Sequence, residues 1–184
     1  MKKVLVFVAD GTEEVEVITV IDYLRRADIT VDFISVMETG KIKGAHDIYL
    51  GADKTVKELN KRHYDAIYVP GGMPGAENIK NSEEAISLIK ENFEKGNIIS
   101  ALCAAPIVLE EAGVLEGKNF TCYPGFEEKI KSGNFTDENV VVDGNVITGK
   151  GPAIAASLAF KLIEELVGKE KSDEVREGTL YNLI

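Results

Sequence analysis

Cys103 closes the apolar run Ile98-Ile99-Ser100-Ala101-Leu102 and stands directly before a helical pattern, Ala104-Ala105-Pro106-Ile107-Val108-Leu109-Glu110-Glu111. A strand that turns sharply into a helix at a nucleophile lifts that side chain out of the sheet, toward the backbone N–H groups opening the helix. Such donors favour a thiolate over a thiol, and the thiolate is the reactive form. An ordinary thiol is only about 3% ionised at pH 7; lowering its pKa to about 5.5 requires roughly 4 kcal/mol of differential stabilisation. The competing reading is a small hydrophobe filling the top of a core. Position alone leaves both open.

Pro70-Gly71-Gly72-Met73-Pro74-Gly75 follows another apolar run, Ala66-Ile67-Tyr68-Val69. Adjacent glycines let the backbone approach a group closely and turn N–H donors toward it. Beside a nucleophile they would hold a developing oxyanion, each donor being worth roughly 3–4 kcal/mol. Taken alone, the segment reads as a tight turn. It lacks the Lys-Ser/Thr ending of a phosphate loop.

Glu13-Glu14-Val15-Glu16 opens the first helical segment, where acidic residues complement the helix dipole by about 0.3–1 kcal/mol each. Glu16 differs, because Val15, Val17 and, one turn on, Val20 place it beside apolar surface. There a carboxyl group is pushed toward its neutral form and can donate a proton to a nearby sulfur.

Other candidates are weaker. Cys122 reads as packing, with a minor redox alternative, and Tyr123 could present its hydroxyl to the same crevice. Gly149-Lys150-Gly151-Pro152 breaks the chain before a long helix and is a candidate pocket wall. His46 and His63, the latter in the polar run Asn60-Lys61-Arg62-His63, read as solvated, and neither follows Cys103 to form a local Cys–His pair. No cluster has metal-ligand spacing.

The elements needed to position these residues alternate in type. Strands are expected at Lys3–Ala9, Thr30–Val36, Ala66–Val69, Ile98–Leu102, Asn119–Thr121 and Val146–Thr148. Helices are expected near Glu13–Ala27, Ser82–Lys95, Ala104–Ala112 and Ala153–Val167. Near-continuous apolar strands alternating with helices indicate a mostly parallel sheet covered on both faces, with its ligand crevice beyond the strand carboxyl ends. Lys41–Leu50, around Gly44, reads as a small hairpin, and Val140–Thr148 carries the tight-turn pair Asp143-Gly144. The segment Val15 to Leu24 is apolar almost all round, which points to a two-fold dimer through this helix, with a covering layer of the same chain as the alternative.

The 184 residues are most simply read as one domain, residues 1–184. Hydrophobic content of 45% and charged content of 28% are those of an ordinary globular chain. A formal charge of −10 opposes nucleic-acid binding. No run reaches the roughly 18 apolar residues of a membrane span. Met1-Lys2-Lys3 and the short apolar stretch after it read as a first strand rather than a leader, and a cytoplasmic location is expected.

Together these residues resemble the ThiJ/PfpI family, in its DJ-one (protein deglycase) branch. The matching pieces are Asp10-Gly11-Thr12-Glu13-Glu14-Val15-Glu16, Val69-Pro70-Gly71-Gly72, Ser100-Ala101-Leu102-Cys103-Ala104-Ala105-Pro106 and Gly149-Lys150-Gly151-Pro152. Their order and separation fit nearly the whole chain. The resemblance implies a flavodoxin-like three-layer α/β/α sandwich with a nucleophile elbow, homodimeric and without cofactor or metal. It implies Cys103 as a low-pKa, oxidation-sensitive nucleophile and Glu16 as its protonated partner. Gly72 and Ala104 would be the oxyanion donors, with Gly71, Tyr123, Gly151 and Pro152 around the substrate. Where animal members place a histidine after the elbow this chain aligns Tyr123, and where they carry an arginine near the pocket it aligns His46. The peptidase-like branch puts histidine immediately after the cysteine; Ala104 stands there, so protease activity is not expected.

Two functions follow. The first is a cofactor-free deglycase or glyoxalase acting on a small reactive carbonyl or a glycated amino group, with Glu16 shuttling a proton between substrate carbons or to water. The second is a redox sensor or stress chaperone working through oxidation of Cys103. A flavin-binding module follows from architecture alone and is the weakest reading.

Overall fold

The first strand is buried from Val4 through Val8. Such a strand needs cover on both faces, and the chain supplies it with helices. The computed structural model describes residues 1–60 and 63–183. Along it run β1 (Lys3–Val8), α1 (Glu14–Arg26), β2 (Thr30–Ser35), β3 (Lys41–Lys43), β4 (Tyr49–Gly51) and β5 (Lys54–Thr55). There follow β6 (Ala66–Val69), α2 (Gly75–Lys80), α3 (Glu83–Glu94), β7 (Ile98–Leu102), α4 (Pro106–Glu111), β8 (Asn119–Phe120) and β9 (Asn134–Phe135). The chain continues through β10 (Val140–Asp143), β11 (Val146–Gly149), α5 (Ala155–Val167) and α6 (Lys169–Gly178).

One sheet has the order β10-β11-β7-β6-β1-β2-β5. Every neighbouring pair in it is parallel except the β10–β11 hairpin. Helices α1, α5 and α6 pack on one another as one group and α2, α3 and α4 as another. The architecture is the expected α/β arrangement of flavodoxin-like type. In it the carboxyl ends of β1, β6, β7 and β11 lead directly into residues 9–13, 70–74, 103 and 150–152. Four parallel strands thus deliver four distant segments to one end of the sheet.

The expected hairpin at Lys41–Leu50 is present as antiparallel β3–β4, and Asp143-Gly144 turns β10 into β11, with Gly144 at φ +62°. Asn119–Thr121 departs from expectation. Only Asn119–Phe120 is strand, and it pairs with β9 outside the main sheet. Helix α6 was not expected from periodicity, because few of its residues are apolar. It docks through Val175 and through Ser172, whose hydroxyl donates to the Phe160 carbonyl at 2.8 Å.

The apolar helix α1 is partly covered by the chain itself. It packs against α5, with the Tyr23 and Phe160 rings 5.1 Å apart. Val15 and Ile18 remain about half exposed. Among the described residues no helix is long and apolar enough to cross a membrane. His63 is exposed, and its neighbours Lys61 and Arg62 lie outside the described residues.

Candidate active site

Leaving β7, the backbone reaches Cys103 at φ +62°, a left-handed conformation that non-glycine residues adopt only when their surroundings impose it. The surroundings are backbone hydrogen bonds. The Cys103 N–H donates to the Gly149 carbonyl at 2.9 Å, and the Cys103 carbonyl accepts the Tyr123 N–H at 2.9 Å. The Ala105 N–H closes the turn on the Leu102 carbonyl at 3.0 Å. The side chain is left 8% exposed. The following helix begins at Pro106 rather than Ala104 and has only six residues. The donors facing the sulfur are therefore turn amides, of Ala104 and of Gly72, and a helix dipole has less part in the site than the sequence suggests.

Glu16, on the buried side of α1, is fully enclosed. Its Oε2 accepts the Gly71 N–H at 2.7 Å, while Oε1 has no hydrogen-bond partner among the described residues. Gly71 lies between the two reactive groups. A Cβ there would come within 2.7 Å of the Cys103 Cβ and 2.9 Å of Glu16 Oε2, so only glycine lets the segments meet. Gly72 is required for a second reason, its φ of +84°.

Burial pushes the Glu16 carboxyl up to about 7. Burial pushes the Cys103 thiol up as well, and the Glu16 charge adds to this, against the opposing Ala104 and Gly72 amides. Two anions cannot share this enclosure, so the pair carries at most one negative charge near neutral pH. Oriented amides alone therefore do not ionise the sulfur; whenever it is ionised, Glu16 must hold a proton, as the resemblance implies. A protonated Oε1 is the arrangement that gives this orphaned oxygen a role, as a donor toward sulfur.

Glu16 makes the stability of the fold depend on pH. The Glu16 contribution is fully present below the ordinary carboxylate pKa, where both folded and unfolded chains hold the proton. It is lost as pH rises through about 7, by on the order of 3 kcal/mol. Glu16→Gln, which keeps shape without charge, should therefore gain stability relative to the natural chain between pH 5 and 8.5, read as the difference in Tm. A Tm difference independent of pH would show that Glu16 is not the titrating group.

The other wall of the site comes from the β3–β4 hairpin, which folds over the start of α1. The Ala45 N–H donates to the Thr12 carbonyl at 2.9 Å, and the Gly11 N–H to the Lys43 carbonyl at 2.8 Å. Glu14, read from sequence as a dipole-complementing surface acid, is instead 4% exposed. Its Oε1 accepts the backbone N–H groups of His46 at 2.8 Å and Ile48 at 3.3 Å, and its Oε2 lies 3.1 Å from His46 Nδ1. These partners hold the Glu14 carboxyl below the usual range against its burial. The opposite effect, led by the Glu14 hydrogen bond and the charge of Glu13, raises the His46 imidazole. A Cβ on Gly44 would strike the Glu14 side chain, which explains the glycine at that position.

A cavity of about 390 Å³ opens over the sulfur, lined by Glu13, His46, Gly72, Met73, Cys103, Ala104, Tyr123, Phe126 and Pro152. It joins most of the candidates selected from sequence. Gly71 lies beneath it, between Cys103 and Glu16, and Gly151 backs the Tyr123 ring. Glu16 is buried behind the sulfur and does not line the wall. That position suits exchange of a proton with Cys103 and argues against the expected shuttle between substrate carbons. Met73 and Phe126 were not expected. Phe126 meets Tyr123 edge-on at 6.4 Å, a contact without a local sequence signal.

Cys122 is fully buried, its sulfur 3.9 Å from Glu127 Oε2, and burial pushes its thiol up to about 12. It is packing. The sequence offered no metal cluster, yet Glu13, Glu14 and His46 bring ligand atoms within 4.8 Å of one another. The hairpin creates this grouping from residues 32 positions apart, beyond the reach of motif spacing.

Comparison with known proteins gives concordant results. The DJ-1/PfpI family matches residues 2–165. Protein dj-1beta of Drosophila melanogaster is 37% identical over 186 residues, covering 98% of this chain and 99% of that one. Protein DJ-1 homolog B of Arabidopsis thaliana is 37% identical over 95% of this chain, which spans 40% of that longer protein. The solved structure of oxidized DJ-1 from Toxoplasma gondii, 35% identical, superposes with a TM-score of 0.94 over 98% of each chain.

Proposed function

Because this chain belongs to the DJ-1/PfpI family, we propose that it is a cofactor-free enzyme acting through Cys103 on glyoxals or their adducts with amino groups. One observation carries this reading. A thiol on a strained elbow faces two backbone donors and a buried carboxyl with a spare oxygen, and it opens into a cavity sized for a small carbonyl compound. In the proposed reaction the Cys103 sulfur adds to the aldehyde carbon. A C–S bond forms, the C=O π pair moves to oxygen, and that oxyanion faces the N–H groups of Gly72 and Ala104. As sulfur attacks, the thiol proton passes to the Glu16 carboxylate, so the pair carries one negative charge throughout. Transfer of a proton from the former aldehyde carbon to its neighbour gives a thioester. Water then cleaves the thioester, releasing a 2-hydroxy acid and restoring the thiol. The net change is addition of one water, with no external oxidant or reductant. The two unbridged cysteines suit a reducing cytosol. The half-exposed Val15 and Ile18 of α1 are proposed to meet a second copy of the chain.

The test is consumption of methylglyoxal by purified protein, with lactate as the detected product. Glu16→Gln, which cannot exchange its proton, should lower kcat/KM about 10²-fold. A natural chain that consumes no methylglyoxal above buffer would overturn the proposal.

A second reading is favoured by the similarity to a DJ-1 solved in oxidized form. Here peroxide oxidises Cys103 to a sulfinic acid, held by Glu16 and the same two N–H groups. Two added oxygens at Cys103 by intact mass, in a protein that leaves glyoxal untouched, would select it.

A further inference from the structure

The reaction proposed above moves a proton between two substrate carbons, and it needs a proton-carrying side chain on the cavity wall. Glu16 is sealed behind the sulfur. Among the described residues, the titratable side chains on the wall besides Cys103 are Glu13, His46 and Tyr123. Among the described residues no carboxylate orients the Tyr123 hydroxyl, and its ring packs edge-on against Phe126.

His46 stands differently. Its Nδ1 is 3.1 Å from Oε2 of the buried Glu14, whose other oxygen grips the backbone of the same loop. A carboxylate behind Nδ1 fixes the proton on that nitrogen and turns Nε2 into the acceptor, the arrangement by which triads orient their histidine. No partner for Nε2 occurs among the described residues. Glu13 Oε1, 3.4 Å from Nδ1, adds a second negative charge to stabilise an imidazolium once formed.

We propose that His46, oriented by Glu14, is the acid–base residue of this site, a role resting on the glyoxal reading above. Nε2 takes the proton from the carbon bonded to sulfur, and that C–H pair becomes the C=C bond of an enediol. The imidazolium then returns the proton to the adjacent carbon as the C=O of the thioester forms. The proton count is unchanged over the cycle, and no redox partner is required.

The groups facing His46 are Glu13 and Glu14 from the start of α1 and Asp47 beside it, with Lys43 paired to Asp47. Cys103 and Tyr123 line the same cavity. The carboxylates raise the imidazole. The rate of a neutral-histidine base therefore climbs with pH and levels off above the ordinary histidine value.

The experiment measures kcat and KM for methylglyoxal from pH 5.5 to 9 with the natural chain, Cys103→Ser, His46→Gln and His46→Ala, each checked for folding by circular dichroism. The expected result is a fall in kcat of about 10²-fold in His46→Gln with KM little moved. The rising limb should be lost, and free imidazole should restore part of the rate in His46→Ala. The rate at which iodoacetamide labels Cys103 should stay within about 2-fold of the natural chain, since His46 is not assigned to the thiol. If Cys103→Ser is inactive but His46→Gln keeps both rate and limb, this assignment is overturned and the glyoxal reading stands. If the natural chain is inactive, both fall. If a chelator abolishes its activity, Glu13, Glu14 and His46 hold a metal ion and the acid–base role is overturned.

Discussion

Cys103→Ser should reduce methylglyoxal turnover by about 10⁴-fold or more, to a rate indistinguishable from buffer, while leaving the fold intact. The loss is chemical rather than structural. Serine has nearly the shape of cysteine, so the backbone bonds to Gly149 and Tyr123 that hold φ at +62° survive the exchange. The hydroxyl, however, does not ionise beside Glu16, and an un-ionised oxygen is a poor nucleophile. Loss of a nucleophile typically removes most of an enzyme's rate enhancement at one stroke. The measurement is disappearance of glyoxal at enzyme concentrations high enough to detect residual turnover, with Tm as the control for folding. A variant that keeps even one tenth of the natural rate would remove the sulfur from the reaction.

Gly71→Ala should be nearly as damaging, although it deletes no functional group. Its methyl would press on the Cys103 Cβ at 2.7 Å and on the Ala104 nitrogen and Glu16 Oε2, each at 2.9 Å. Each neighbour belongs to the site: the nucleophile's own stem, an oxyanion donor and the proton-holding carboxyl. Relief requires the segments to part, which displaces the sulfur from its donors and weakens the 2.7 Å bond from Gly71 N–H to Glu16. A misplacement near 1 Å costs about 10²-fold in rate, and that is the expected fall in kcat/KM. Overpacking of this kind also destabilises by about 1–3 kcal/mol, to be read as a lower denaturant midpoint. Wild-type kinetics in the alanine variant would mean that Cys103 and Glu16 need not approach.

The parts of this molecule legible in sequence are those whose signals are local. Continuous apolar runs announced the strands from Lys3 to Val8 and from Ile98 to Leu102, and the elbow at Cys103 and the glycines after Val69 marked the strand ends that form the site. Glu16 was identified because valines flank it within one turn. What escaped depends on contacts between distant segments. Glu14 and Glu16 look alike in sequence, both acids in a first turn, and only the hairpin arriving over α1 separates their roles. His46 reads as solvated because it lies in a hairpin turn with no local partner for its ring; that partner, Glu14, sits 32 residues earlier. The same dependence hid Phe126, whose importance lies in what it touches. The start of α4 was misplaced for a simpler reason. Ala104-Ala105 has strong helix propensity, yet the left-handed residue before it forces a turn first.

Glu14 holds the hairpin by main-chain amides, those of residues 46 and 48. Those two bonds do not involve the side chain of residue 46, although Glu14 Oε2 also meets His46 Nδ1. A substitution there changes the chemistry offered at the cavity mouth without loosening the loop that presents it. The molecule thus separates a tightly packed floor, where even one methyl is excluded, from a rim presented by backbone bonds.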